Sequence, residues 1–228
     1  MRIIAVGDTH GRDTWERIAA ANLWDKFVFI GDYFDSREGI SATVQLENFK
    51  NIVAFKKRAP GSVVLLVGNH DFHYLSGISA RYSGYQELYA SEIREALEAA
   101  RDSLQICFAA DGHLFTHAGV TKTWCASNGV LTNDIEAGLN DLFRQNATAF
   151  KFTPGKNFDP TGDDITQSPI WVRPESLVVD AVDGWTQVVG HTQQDHVLVL
   201  DHIFIDTLAT SGESLLLDSG LPLIVKTP

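Results

Sequence analysis

Three short apolar runs near the start of the chain set the terms of its fold. Arg2–Val6 (RIIAV), Lys26–Ile30 (KFVFI) and Ser62–Val67 (SVVLLV) are rich in Val, Ile and Phe, and each is followed by glycine and then by a polar residue: Asp8, Asp32 or Asn69. Between them, Arg12–Leu23 and Ser41–Arg58 space their apolar residues three and four apart, the period of a helix with one buried face. Strands alternating with helices imply βαβ units and a parallel sheet. In such sheets ligand sites collect at the carboxyl ends of the strands.

After Val67 the pattern changes. Phe72–Tyr89 is rich in Tyr, Ser and Gly, Ser91–Arg101 reads as a helix, short strands are expected near Leu104–Phe108 and His113–Thr116, and Asn133–Phe150 is expected to be helical. Lys151–Pro169 holds Pro, Gly and Asp without a period and is expected to be a long surface loop, a kind that often carries function. From Gln187 onward the runs QVVG, HVLVL, HIFIDTL, SLLLD and LPLIVK follow so closely that antiparallel pairing is expected. No repeat, low-complexity tract or interdomain linker interrupts the sequence, and its 228 residues are expected to form one domain, 1–228.

Composition narrows the class. With 44% hydrophobic and 21% charged residues the chain reads as an ordinary globular protein. No run approaches the roughly 20 apolar residues of a membrane helix, and the N-terminus lacks the pattern of a secretory signal, so a cytoplasmic location is expected. Cys107 and Cys125 have neither a zinc nor a redox spacing and are expected to be reduced thiols. The net charge of -11 opposes general attraction to nucleic acid or anionic lipid. Carboxylates gathered to hold metal would account for part of that charge.

The acids and histidines do gather, at strand ends. Asp8 and His10 follow the first run, Asp32 and Asp35 the second, Asn69, His70 and Asp71 the third, while THAG places His117 after a later strand and VVGHTQ places His191 after another. Any one of these could be turn chemistry or a hydrogen-bonded histidine. Five such deliveries at one predicted sheet edge are hard to explain by folding alone. Carboxylate, imidazole and amide oxygen together suit divalent manganese, iron or zinc better than the all-oxygen shell of calcium. There are too many candidate ligands for one ion, whereas two ions about 3.5–4 Å apart could share a carboxylate, polarise a phosphate and acidify a bridging water.

GDTHG, GDYFDS, GNHD, THAG and GHT, in that order, resemble the motifs of the calcineurin-like metallophosphoesterases, and within them the branch of serine/threonine phosphoprotein phosphatases and symmetrical dinucleoside tetraphosphatases. The likeness spans most of the chain. It implies an α/β fold, a β-sandwich of two mixed sheets flanked by helices in four layers (α/β/β/α). It implies that Asp8, His10 and Asp32 hold a first metal, that Asp32, Asn69, His117 and His191 hold a second, and that His70, oriented by Asp35, is the general acid. Manganese is the first expectation for both ions, with iron, zinc, nickel and magnesium as alternatives. Asp71 is read as a turn residue or a support for the ligands.

Phosphate oxygens free of metal favour guanidinium forks. The branch usually reads Asp-Arg-Gly after the second motif, whereas here Asp35-Ser36-Arg37-Glu38-Gly39 displaces Arg37 by one position. Arg173, in PIWVRPE, resembles the Trp-x-Arg segment of bacterial-type members and is the favoured phosphate ligand, with Arg37 the other candidate. His73, His113, His196 and His202 lie outside the motifs and are expected to face solvent or to be structural. Tyr74, Tyr82, Tyr85 and Tyr89 either line a pocket wall or pack a small lid. Arg12 is expected to begin a helix and Trp15 to lie in the core.

The leading functional expectation is a two-metal phosphatase, using a metal-bridging hydroxide and a histidine acid, on phosphoproteins or small phosphorylated metabolites. A rival within the same chemistry is hydrolysis of dinucleoside polyphosphates. A nuclease or phosphodiesterase ranks lower, because many such relatives read Gly-His-x-His where this chain has Gln193. A silent metal-binding scaffold ranks last, since every reactive residue is present. The expected partners are phosphorylated proteins or nucleotide and small-molecule phosphates, with no membrane.

Overall fold

The three early apolar runs lack the alternation of a half-solvated strand because the sheet they build is covered on both faces. In the computed structural model, which describes residues 1–155 and 159–227, they become β1 (Arg2–Val6), β2 (Lys26–Phe29) and β3 (Val63–Leu66), joined through α1 (Thr14–Ala21) and α2 (Ala42–Arg58). There follow α3 (Asn69–Phe72), α4 (Ala90–Ala99), β4 (Leu104–Gln105), β5 (Cys107–Ala110) and β6 (His113–Thr116). The chain continues with α5 (Lys122–Asn128), α6 (Ile135–Gln145), α7 (Pro174–Asp180) and β7 (Thr186–Val189). It ends with β8 (Leu198–Val199), β9 (Ile203–Phe204), β10 (Glu213–Asp218) and β11 (Leu221–Lys226).

One sheet has six strands in the order β11-β10-β1-β2-β3-β4, and the second has five in the order β5-β6-β7-β9-β8. β1 to β4 run parallel, while β10 lies antiparallel to β1 and β11 to β10. Side chains alternate across these strands. Ile3, Ala5, Val28, Ile30, Val64 and Leu66 turn toward Phe115, Val188 and Ile203 of the other sheet. Ile4, Val6, Phe27, Phe29, Val63 and Leu65 turn outward under Trp15, Ile18, Phe49 and Ile52 of the helices. Leu177 of α7 covers Val189 and Phe204 on the far side. The result is the expected four-layer α/β/β/α arrangement. At about 1.5–3 kcal/mol for each large apolar side chain fully buried, these layers dominate the stabilising side.

The antiparallel expectation for the C-terminal runs holds for β8–β9 and β10–β11 but not for QVVG, nor between HIFIDTL and SLLLD, whose strands β9 and β10 belong to different sheets. β7 lies parallel to both β6 and β9. It reaches β6 through the long crossover containing α5 to α7, and the excursion through β8 leaves room for a parallel return to β9. Spacing alone hides that excursion, because most of HVLVL does not pair. The expected loop over Lys151–Pro169 carries no helix or strand in its described part, while residues 156–158 lie outside the described residues. No helix is long and apolar enough to cross a membrane among the described residues.

Local chemistry fixes the elements. Ser41 caps α2 by accepting the Val44 N–H, and Lys56, Lys57 and Arg58 in its last turn suit the negative end of the helix dipole. Trp15, in the core as expected, donates its indole N–H to Asn48 Oδ1 at 2.9 Å. Asn140 ties α6 to the β4–β5 corner, accepting the Ile106 and Cys107 N–H groups at 2.9 and 3.1 Å and donating to the Cys107 carbonyl at 2.9 Å. Because the site is buried, Asn140→Ala leaves backbone groups without partners, and urea unfolding is expected to show a loss of about 1–3 kcal/mol.

Candidate metal and phosphate site

Five strands of the two sheets end at one place. β1 delivers Asp8 and His10, β2 delivers Asp32 and Asp35, β3 delivers Asn69 and His70 at the start of α3, β6 delivers His117 and β7 delivers His191. The loops are cross-tied: the His10 N–H donates to the Asp32 carbonyl and the Gly190 N–H to the His117 carbonyl, both at 2.8 Å. His10, Asp32, Asp35 and His191 adopt left-handed backbones, with φ of 45, 53, 63 and 64°. For residues bearing a Cβ this costs on the order of 1–3 kcal/mol each, and it concentrates where function over-determines geometry. The glycines before the ligands have a steric reason. A Cβ on Gly190 would overlap Asp8 Oδ1, and one on Gly68 would overlap Asp32 Oδ1.

Asp32 is the centre of the arrangement. Its Oδ1 accepts the His70 N–H at 2.8 Å, while its Oδ2 lies 3.9 Å from His10 Nε2 and 3.5 Å from His117 Nε2. Both imidazoles already use Nδ1 on a carbonyl, His10 on Phe34 and His117 on Ile30. A neutral imidazole carries one proton, so both Nε2 atoms direct lone pairs toward the same carboxylate oxygen. The rings are neutral: burial, aided by the His70 imidazole, lowers His10 to about 4, and burial lowers His117 to about 3. Burial also pushes His191 well below the ordinary histidine range. Asn69 Oδ1 lies 3.0 Å from His117 Nε2 and 2.9 Å from His191 Nδ1.

Asp8 and Asp32 are themselves driven upward. For Asp8 the cause is burial and then the charge of Asp206, and for Asp32 it is burial and then the charge of Asp8. Converging lone pairs and crowded carboxylates repel one another. This donor set fits divalent cations, and ligand atoms of Asp8, His10 and Asp32 lie within 4.8 Å of one another.

A second cluster, Asp35, His70 and His73, lies within the same mutual distance. His70 Nδ1 is 3.0 Å from Asp35 Oδ2. His73, expected to face solvent or to be structural, is buried with Nε2 2.7 Å from that oxygen. Burial acts to raise Asp35, but hydrogen bonding from His70, His73, Tyr74 and Gln86 outweighs it and holds the carboxyl down at about 2. Asp71 turns inward as a brace, accepting the Asp32 and Tyr33 N–H groups at 2.8 Å and that of Gly68 at 2.9 Å.

A cavity of about 330 Å³ opens over these groups, and Arg37 and Arg173 both reach its lining. Arg173 is fixed there by Nη1 on Thr192 Oγ1 at 3.2 Å and Nε on the Thr161 carbonyl at 3.1 Å. Arg12 precedes α1 instead of beginning it, donating to the Thr9 carbonyl at 3.1 Å and pairing with Glu38 at 2.8 Å on the cavity wall. Asp206, beside Asp8, also lines the cavity and went unmarked in the sequence because no glycine precedes it. No tyrosine lines the cavity among the described residues: Tyr74, Tyr82 and Tyr85 pack beside it, and Tyr89 is exposed. Tyr74 stacks on Tyr85 at 4.8 Å, and Tyr82 meets the cavity residue Trp171 at 4.5 Å. His113 and His202 are buried and structural, hydrogen-bonded to the Asp111 carbonyl and the Gln187 N–H, whereas His196 lies on the surface beside Glu213.

The sequence matches the calcineurin-like phosphoesterase family over residues 1–195, and the chain belongs to that family. It is 30% identical over 154 residues to a symmetrical bis(5'-nucleosyl)-tetraphosphatase of Janthinobacterium sp. (strain Marseille), a stretch covering 61% of this chain and 52% of that protein. The chain thus spans about half the length of the curated relative it matches. Among solved structures, a cold-active protein-tyrosine phosphatase of a psychrophile Shewanella sp. is similar with a TM-score of 0.60 at 19% identity, covering 98% of this chain and 77% of that one. A protein serine/threonine phosphatase from Saccharomyces cerevisiae gives 0.58 at 13% identity, covering 100% of this chain and 80% of that one. These likenesses bear out the fold that the motifs implied.

The glycine contacts yield a test. Gly68→Ala and Gly190→Ala each drive a methyl group into a buried carboxylate, an overpacking that costs about 1–3 kcal/mol. Each substitution is expected to lower the thermal midpoint by several degrees in scanning calorimetry.

Proposed function

We propose that this protein is a two-metal phosphoester hydrolase acting on phosphomonoesters in phosphoproteins or small metabolites. The observation that carries the reading is the convergence of His10 Nε2 and His117 Nε2 on Asp32 Oδ2, with both Nδ1 atoms already committed to carbonyls. In this reading Asp8, His10 and Asp32 hold one ion, Asp32, Asn69, His117 and His191 hold the other, and manganese is the native metal at a cytoplasmic location. Bound divalent ions supply polarisation of the phosphoryl group and acidified water.

The chain's own residues supply the rest. His70 commits Nδ1 to Asp35, which leaves Nε2 to protonate the departing oxygen. Arg173, steadied by Thr192 and Thr161, offers its fork to phosphate oxygens, with Arg37 at the rim as a second cation. Residues 1–228 act as one catalytic unit. A second reading, hydrolysis of a dinucleoside polyphosphate, draws support from the name of the Janthinobacterium relative.

Turnover of p-nitrophenyl phosphate, a phosphopeptide and diadenosine tetraphosphate in manganese tests both. Phosphomonoester turnover is expected to lead, a strong preference for the dinucleotide would replace the first reading by the second, and hydrolysis of none of the three would remove both. His70→Asn is expected to lower kcat by about 10²–10⁴, the usual general acid contribution, while sparing bound metal. Asp32→Asn is expected to empty both metal positions, and two ions per chain by elemental analysis would refute its bridging place.

A further inference from the structure

His73 caps the short helix that begins with Asn69 and His70, and its side chain is 0% exposed. A histidine so enclosed needs partners for both nitrogens. Nδ1 accepts the Tyr82 N–H at 3.1 Å. A nitrogen that accepts carries no proton, so the ring proton belongs on Nε2, which lies 2.7 Å from Asp35 Oδ2, off the line of an ideal hydrogen bond. The same oxygen receives His70 Nδ1 at 3.0 Å. The other oxygen takes the Tyr74 hydroxyl at 2.6 Å and Gln86 Nε2 at 3.0 Å.

We propose that His73, as its Nε2-protonated neutral tautomer, is a positioning residue that pins Asp35 Oδ2 and through it aims the His70 imidazole. The proposal rests on the reading of His70 as the general acid. A carboxylate rotates readily about its terminal torsion. Among the described residues, Tyr74 and Gln86 restrain Oδ1, while His70 and the close approach of His73 Nε2 hold Oδ2 and with it the plane of the carboxylate. Burial lowers the His73 proton affinity, while the Asp35 contact acts in the opposite sense. The same histidine reaches the substrate side, because Tyr82 stacks on its ring at 5.5 Å and packs against Trp171 of the cavity wall. The aim of the acid is thereby tied to the segment that shapes the cavity.

Two measurements test this. Long-range proton–nitrogen NMR of the metal-free protein is expected to show His73 with a proton on Nε2 and none on Nδ1; the opposite tautomer, or a ring averaging between the two, overturns the proposal. The second compares phenyl phosphate, whose leaving group needs a proton, with 2,4-dinitrophenyl phosphate, whose leaving group does not. His73→Asn keeps an acceptor near Nδ1 but cannot reach Asp35, and it is expected to lose about tenfold to a hundredfold more kcat on the first ester than on the second, a share of the general acid effect. His73→Gln, which carries a donor near the Nε2 position, is expected to recover most of that ratio. Equal losses on the two esters, or none, overturn the positioning role. Wild-type protein inert toward both esters brings down the hydrolase reading and the proposal with it, a result distinct from a variant that fails alone.

Discussion

Asp8 and Asp32 stand side by side, each 2% exposed, against imidazoles that burial keeps neutral. An anion removed from water without a compensating cation costs several kcal/mol, and no neutral imidazole offsets it. That unfavourable arrangement organises everything around it. The cross-tied loops, the left-handed residues and the Asp71 brace all hold like-signed and lone-pair-bearing atoms closer than they would sit unaided. In the proposed reading, divalent cations at the converging donors would offset that cost, which would link metal affinity to folding stability at this site.

The hydrophobic architecture is what tolerates the strain. Strands covered on both faces present continuous apolar surface to the helices on one side and to the second sheet on the other, leaving their carboxyl ends little freedom to relax. Glycine then has a task beyond turning the chain. At positions 68 and 190 it allows a neighbouring carboxylate to pass where a side chain would stand.

The same reasoning explains how much was legible in the sequence. Strands β1 to β3 each write an unbroken apolar run, and a glycine precedes Asp8, Asp32, Asn69 and His191, so the parallel core and these four residues could be read in advance, whereas His117 follows Thr116 directly and was marked by Gly119 two residues after it. Asp206 follows β9 without a glycine and left no such mark. Arg12 carries helical periodicity behind it, yet its guanidinium turns to Thr9 and Glu38 on the cavity wall. His73 looked incidental because the oxygen it meets belongs to Asp35, 38 positions earlier in the chain. The parallel placement of β7 was hidden for a related reason, since pairing there depends on a crossover and not on neighbouring runs.

In the proposed reading, the residues that perform the chemistry lie on a different kind of structure from those that line the rest of the cavity. The candidate donors sit on strand ends held by two cores, whereas Trp171 and Arg173 belong to the irregular stretch leading into α7 and Ser83 to the tyrosine-rich segment Phe72–Tyr89. These segments are held by polar and apolar contacts together: Asp163 accepts the Arg173 and Ser176 N–H groups at 3.0 and 2.9 Å, Tyr82 OH accepts the Phe152 N–H at 3.2 Å, and Ile170 and Val172 are buried in the cores. Loops of this kind change composition without disturbing the scaffold beneath them. The family is legible at the strand ends, and in this chain Tyr82, in contact with both His73 and Trp171, joins the strand-end cluster to the loop that lines the cavity.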